Sequence, residues 1–330
     1  MDMKPYFPTT FSVVSTDALV AKVLTAYELE AVIDCKLQFV GVNDTFKVTL
    51  ANGQVYYLRV YRSRWRSLNE VSYELDAINH LHRKGVSVAR PVPHKDGSFI
   101  QVINAPEGPR CVVLFTEAVG KEPDYATEAE VKARNYGRAV ARLHQATDDF
   151  TSSYTRTPLD VDFLLRQTLE PIRPFLTHRP DDWAFLQAYA LKFYQRLSEW
   201  PDSALDQGFC HADLQGYHAH VDPAGRVTFF DFDCCALGFR AYDMAVFRWV
   251  SRLKETEAIW WEPYLKGYQE VRSLRDLDIQ AIPWFVAGRY LWHMWLHTTN
   301  AMEWGHGWLN DEYFDRAIKN LRAVEVDYKL

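Results

Sequence analysis

Between His211 and Asp243 the chain puts charge where a folding chain can least easily tolerate it. The run HADLQGYHAH is followed by a DPAG turn and then by VTFFDFDCCALGFRAYDMA, so Asp213 closely follows His211, and Asp231 and Asp233 fall in an aromatic segment. The β-branched and aromatic composition of Arg226 to Phe232 predicts a strand, and the turn before it folds that strand back and gathers the carboxylates. Gathered carboxylates repel, and one within a half-buried strand is costly without a partner. A divalent cation resolves both difficulties. Hard cations of this kind take oxygen ligands and usually keep a bound phosphate, which points to nucleotide chemistry.

With 330 residues, 48% of them hydrophobic, the chain is long enough for two cores. A formal net charge of −6 provides no general attraction to nucleic acid or to an anionic membrane, so neither is expected as a partner. There is no basic and apolar leader, and no apolar run approaches about 18 residues. The five cysteines, Cys35, Cys111, Cys210, Cys234 and Cys235, are odd in number and scattered, which fits small core residues in a reducing compartment. A cytoplasmic protein is expected. A redox or metal centre built from Cys210, His211, His218, His220, Cys234 and Cys235 is disfavoured, because those spacings match no common site.

Taken in order, residues 1 to 15, with Pro5 and Pro8, suggest an irregular arm. Thr16 or Asp17 can cap a helix over ALVAKVLTAYEL. Strands are expected over Lys36 to Leu50, broken at Gly41 to Asp44, and over Gln54 to Tyr61. A helix from Leu68 to Lys84 ends at Gly85, and two more strands lie around QVINA and CVVLFTEAVG. From Thr127 the pattern turns helical, with Val131, Tyr136, Val140 and Leu143 read as one stripe. Further helices fit 160–178, 181–199, 243–253, 255–272, 277–299 and Asp311 to Val324. This is an α+β chain: a small antiparallel sheet first, helices after it.

The strings HADLQGYHAH, FFDFD and AYDMA resemble the aminoglycoside phosphotransferase/choline kinase family, whose usual form is HGDxxxxN, a strand with D-F/W, and a YDxA helix start. The resemblance runs from about Leu37 to Leu321 and implies a two-lobed protein-kinase-like fold, with an N-lobe at 1–116 and a C-lobe at 117–330. It implies ATP-dependent transfer of a phosphoryl group to a hydroxyl. By this resemblance Asp213 is the catalytic base, with His211 and Asp243 as supports of its loop. Asp231 holds the cation, with Asp233 as a further metal-binding acid on the same stretch. Two positions depart from the pattern: Ala212 replaces the glycine, a mild change, and His218 replaces the asparagine that is the second metal ligand. Mg²⁺ is the expected cation, with Mn²⁺ as the alternative, because an imidazole nitrogen suits it better.

The same resemblance makes Asn43 and Thr45 part of a phosphate-covering turn and Arg59 the phosphate-pairing cation, held by Glu74. It sets Phe115, Glu117 and Ala118 along the adenine edge. Gly137 to His144 resembles the first C-lobe helix, with His144 an ordinary core histidine. The ring-dense WFVAGRYLWHMWLH is either a plain buried helix or an acceptor pocket in which Trp292, His293, Trp295 and nearby Trp304 hold a cationic amine. Amino alcohols, homoserine, aminoglycosides and protein Ser/Thr are all acceptors among such relatives, and a small molecule is expected ahead of a protein. The competing class is a nucleotide-binding pseudokinase with a regulatory or scaffolding role. His218 and Ala212 favour it, and the retained Asp213, Asp231 and Asp243 oppose it.

Overall fold

The computed structural model describes residues 7–123, 127–201 and 204–330, so Pro5 and the start of the expected N-terminal arm lie outside it. The chain divides into two compact units, Met1–Val119 with Ser152–Thr155, and Gly120–Thr151 with Arg156–Leu330. The architecture is α+β, with the large sheet in the first unit and most of the helices in the second.

In the first unit, β1 (Val32–Val40), β2 (Asp44–Leu50), β3 (Val55–Val60), β4 (Gln101–Ala105) and β5 (Gly108–Thr116) form one antiparallel sheet in the order β1-β2-β3-β5-β4. Alternation places Phe46, Val48 and Leu50 of β2 on one face, where they bury against Leu58, Val60, Val112 and Leu114. The helix expected over ALVAKVLTAYEL is shorter than its pattern: α1 covers Thr16–Lys22, and the chain then tightens into a 3-10 turn over Leu24–Ala26. The β-branched Val20, Val23 and Thr25 weaken propagation there. By contrast, α2 (Leu68–Arg83) starts on a complete capping box between Ser67 and Glu70 and buries Val71, Leu75, Ile78 and Leu81.

The second unit contains α3 (Ala129–Ala146), α4 (Pro180–Ser198), α5 (Arg240–Leu253), α6 (Glu257–Gln269), α7 (Asp276–Thr299), α8 (Ala301–Trp304) and α9 (Asp311–Tyr328). Two short strand pairs, β6 (Gln207–Cys210) with β9 (Ala236–Phe239) and β7 (Ala219–Val221) with β8 (Val227–Phe229), carry the acidic loops. Three expectations need correction. The helix over 160–178 survives only over 161–169, with a π segment at Phe163–Gln167; Pro171 and Pro174 end its ladder, and a separate 3-10 turn follows at Arg173–Leu176. Val131 is 57% exposed, five residues before Tyr136 and so off the buried stripe of α3. The strand expected over Arg226 to Phe232 stops at Phe229, which leaves Asp231 beyond it.

Helices α3 and α6 meet backbone to backbone. A Cβ on Gly137 would collide with the carbonyl of Tyr264, and one on Gly267 with the carbonyl of Arg134. This approach brings His144 of α3 next to Tyr268, near the start of the acidic loop.

Candidate active site

The loop after β6 is fixed from the first turn of α5. Asp243 Oδ2 accepts the His211 N–H at 2.8 Å and its Oδ1 accepts the Ala212 N–H at 2.6 Å. His144 Nε2 lies 3.0 Å from Asp243 Oδ2, and its Nδ1 is 2.8 Å from the Tyr268 hydroxyl, so a buried imidazole holds the buried carboxylate in turn. Burial lowers the pKa of both His144 and His211, favouring the neutral rings. His211 Nε2 donates to the Phe230 carbonyl at 3.0 Å, and its Nδ1 accepts the Asp213 N–H at 3.3 Å. Ala212 has φ +65°, the left-handed region. The replacement of glycine by alanine is therefore not mild for the backbone, since a Cβ is unfavourable in that conformation.

Asp213 is surrounded by donors. Its Oδ1 accepts Gln215 Nε2 at 2.7 Å and Nη2 of Arg289, while His218 Nδ1 lies 3.1 Å from its Oδ2. Burial would raise the pKa of this carboxyl, but the Arg289 guanidinium and His218 outweigh burial and hold it far below the usual carboxylate range. Asp213 is a fixed anion.

His218 stands between two acids, with Nδ1 also 3.0 Å from the Asp213 carbonyl and Nε2 3.7 Å from Asp231 Oδ2. Burial pulls its pKa down, yet Asp213 and then Asp231 raise it to about 9. Asp231 sits just past β8 at φ +63°, where the chain enters the 3-10 turn Phe232–Cys234. Asp233 faces Arg156, whose Nη2 is 3.8 Å from its carboxylate and also reaches its carbonyl. Among the described residues no three His, Cys, Asp or Glu side chains converge into a ready metal cage. Drawn by Asp213 and Asp231 to the protonated form, His218 presents an N–H toward each of them; it could ligate a cation at Nε2 beside Asp231 only after losing that proton, with Nδ1 still oriented by Asp213.

Arg289 of α7 is the residue that sequence reasoning missed. It is only 1% exposed, donates from Nη1 to the Ala212 carbonyl at 3.2 Å, and packs its guanidinium over Trp292 at 4.0 Å and Trp249 at 5.0 Å from the ring centroids. The signal was a single arginine inside WFVAGRYLW, since a cation in an apolar helix demands an anion. Of the rings considered for an acceptor pocket, Trp292 is buried under this guanidinium, whereas His293, Trp295 and Trp304 keep some exposure.

In the first unit, Arg59 Nη1 of β3 lies 3.1 Å from Glu74 Oε1 of α2, and the Tyr61 hydroxyl donates to Glu74 Oε2 at 3.0 Å. Glu74 is fully buried, and Arg59 also lies over the Phe115 and Tyr61 rings. Asn43 is committed to its own loop: its Oδ1 accepts the Arg62 N–H at 3.1 Å, while the Arg62 side chain bonds the Val42 and Gly41 carbonyls. Thr45 pairs with Arg59 across β2 and β3. Phe115 and Ala118 are buried and Glu117 is exposed.

A small sheet carrying a buried Arg–Glu pair, and a helical unit carrying an aspartate loop braced from the next helix, together define a protein-kinase-like fold. The model of the phosphotransferase enzyme family matches residues 41–277, and the chain belongs to that family. It is an enzyme that transfers a phosphoryl group to a hydroxyl acceptor. An uncharacterized protein of Deinococcus radiodurans is 38% identical over 323 residues, covering 97% of this chain and 92% of its own length. Homoserine kinase of Sinorhizobium medicae is 26% identical over 292 residues, 84% of this chain and 82% of that one. Amicoumacin kinase hAmiN, solved in complex with AMP-PNP, Ca²⁺ and Ami, superposes with a TM-score of 0.78 at 20% identity, over 93% of each chain.

Proposed function

We propose that this chain moves the γ-phosphoryl group of ATP to a hydroxyl of a small molecule, with a divalent cation, Mg²⁺ or Mn²⁺, beside the phosphates. The observation that carries the proposal is Asp213, held as an anion by Arg289 and His218 in a loop braced by Asp243. The presence of nucleotide and divalent cation in the structure of hAmiN supports the choice of donor. A small molecule is preferred to protein Ser/Thr because the named relatives are homoserine and amicoumacin kinases.

In this reading residues 1–116 cover the nucleotide and 117–330 hold the acceptor. Asp213 accepts a hydrogen bond from the acceptor hydroxyl, aims its oxygen at phosphorus, and takes the proton as the new O–P bond forms. The bridging P–O bond breaks and its electron pair leaves on the β-phosphate of ADP. A carboxylate of such low basicity orients the hydroxyl first and takes the proton late, which suits a loose transition state. His211 sets the loop through its bonds to Phe230 and Asp213.

Arg59, anchored by buried Glu74, presents a fixed cation to phosphate oxygens. Thr45, opposite it, and the turn that Asn43 pins cover the same phosphates. Backbone groups from Phe115 through Glu117 to Ala118 take the adenine edge. Asp231 would hold the cation, and His218 Nε2 would join it on giving up its proton to solvent; Asp233, engaged with Arg156, borders the same turn. A cation held there would neutralise charge that develops between the phosphates.

The test is Asp213→Asn. Nucleotide affinity should stay within about twofold while ADP release falls by roughly 10² to 10⁴, the range for losing a positioned base. Equal turnover in the two proteins would remove Asp213 from this role.

A further inference from the structure

The rings on α7 do not present an empty cage to a cation. The ring of Trp292 is covered by Arg289 at 4.0 Å, and Trp249 receives the same guanidinium at 5.0 Å. Arg289 cannot easily withdraw, because it is buried and bonds both Asp213 and the Ala212 carbonyl. Beyond it the wall continues through His293, tilted against Trp249 at 5.0 Å, to His297, edge-on at 4.1 Å from His293, and on to Trp308, edge-on at 4.9 Å from His297. Burial, aided by Arg289, keeps His297 near pKa 4, and burial with His297 and then Arg289 keeps His293 well below its ordinary value, so both rings are neutral at pH 7. At the outer end Trp308 is 40% and Met302 71% exposed, flanking Gly305 and Gly307. Large apolar groups left exposed at the end of a ring cluster mark a ligand surface rather than a core.

Building on the phosphotransferase reading above, we infer that Arg289 sets the acceptor class. Its guanidinium fills the ring seat that a cationic amine would need, and the acceptor is an uncharged alcohol whose aromatic or apolar body lies along the wall from His293 to Trp308. The hydroxyl end reaches Asp213. A second cation near Arg289 meets like-charge repulsion, and the ring faces that could repay its desolvation are already in use. An uncharged ring meets neither obstacle and gains from stacking on histidine and tryptophan.

The test uses two alcohols of one chain length, 3-phenylpropan-1-ol and 3-aminopropan-1-ol, titrated by calorimetry into the full chain holding AMP-PNP and Mn²⁺. The phenyl alcohol should bind at least about tenfold more tightly than the amine, the order of one aromatic contact. His293→Ala, one turn from Arg289 and within reach of a phenyl ring whose hydroxyl sits at Asp213, should weaken the phenyl alcohol by about tenfold, and Arg289→Met should shift the preference toward the amine by a similar factor. Equal or tighter binding of the amine to the parent overturns the inference, and so does no binding of either alcohol. Because binding is measured without transfer, these results stand apart from the function. Loss of metal-dependent ADP release from ATP, or its indifference to Asp213→Asn, would count against the phosphotransferase roles whichever alcohol binds.

Discussion

At the residue scale, the loop carries a backbone cost that a smaller side chain would remove. A left-handed conformation costs an L-residue roughly 1–2 kcal/mol, and glycine returns about 0.5–1 of that through the freedom it gives the unfolded chain. Ala212→Gly should therefore stabilise the protein by about 0.5–1 kcal/mol in urea unfolding, with both amide bonds to Asp243 retained. A lower midpoint would show that the Cβ packs usefully. His218 sets a second expectation: replacing its nitrogen by an amide oxygen in His218→Asn should raise the ratio of Mg²⁺- to Mn²⁺-supported ADP release several-fold. An unchanged ratio would put position 218 outside the cation's shell. Asp213, His211 and Asp243 were legible because the loop and its brace are read from one contiguous motif. Arg289 was not, because its meaning depends on a carboxylate 76 positions away that only the fold brings close.

At the scale of elements, the close pairing of α3 and α6 hangs on two hydrogens. Gly137→Ala should cost about 3 kcal/mol, the upper end for overpacking, because the obstacle is a backbone carbonyl that cannot rotate aside. Urea denaturation measures it, and a change below about 0.5 kcal/mol would mean the helices separate readily. Period and capping made most elements legible: α2 follows its Ser67–Glu70 box, and β2 its alternation. Where the reading failed, a local interruption had been outvoted by composition. Pro171 and Pro174 broke a helix that the apolar content of 160–178 favoured, and the strand after the DPAG turn ended early because Asp231 takes a left-handed conformation. The string also does not reveal that Arg156 faces Asp233, the further acid read as a metal ligand.

At the scale of the whole molecule, stability should fall on mild acidification through the ring wall. His297 has pKa about 4 in the folded chain against 6.5 when unfolded. Above 6.5 both states are neutral and the stability is complete. Between 6.5 and 4 the unfolded chain binds a proton that the folded chain resists, so stability drains away, and below 4 the loss levels off. The contribution between pH 7 and 5 is about 1–2 kcal/mol. Urea unfolding at the two pH values should show a smaller drop for His297→Phe than for the parent; the same drop in both would exclude this histidine. Among the described residues no helix is long and apolar enough to cross a membrane. The first unit also has an unusual inheritance. It includes Ser152–Thr155, where Ser152 Oγ donates to Asp76 at 2.6 Å and the Thr155 carbonyl accepts from Asn69 at 2.6 Å, although the chain has left that unit after Val119. Two related genes recombined once near codon 119 would thus give a hybrid whose first unit takes these four residues from the other parent. Exchange of the whole unit requires three crossovers.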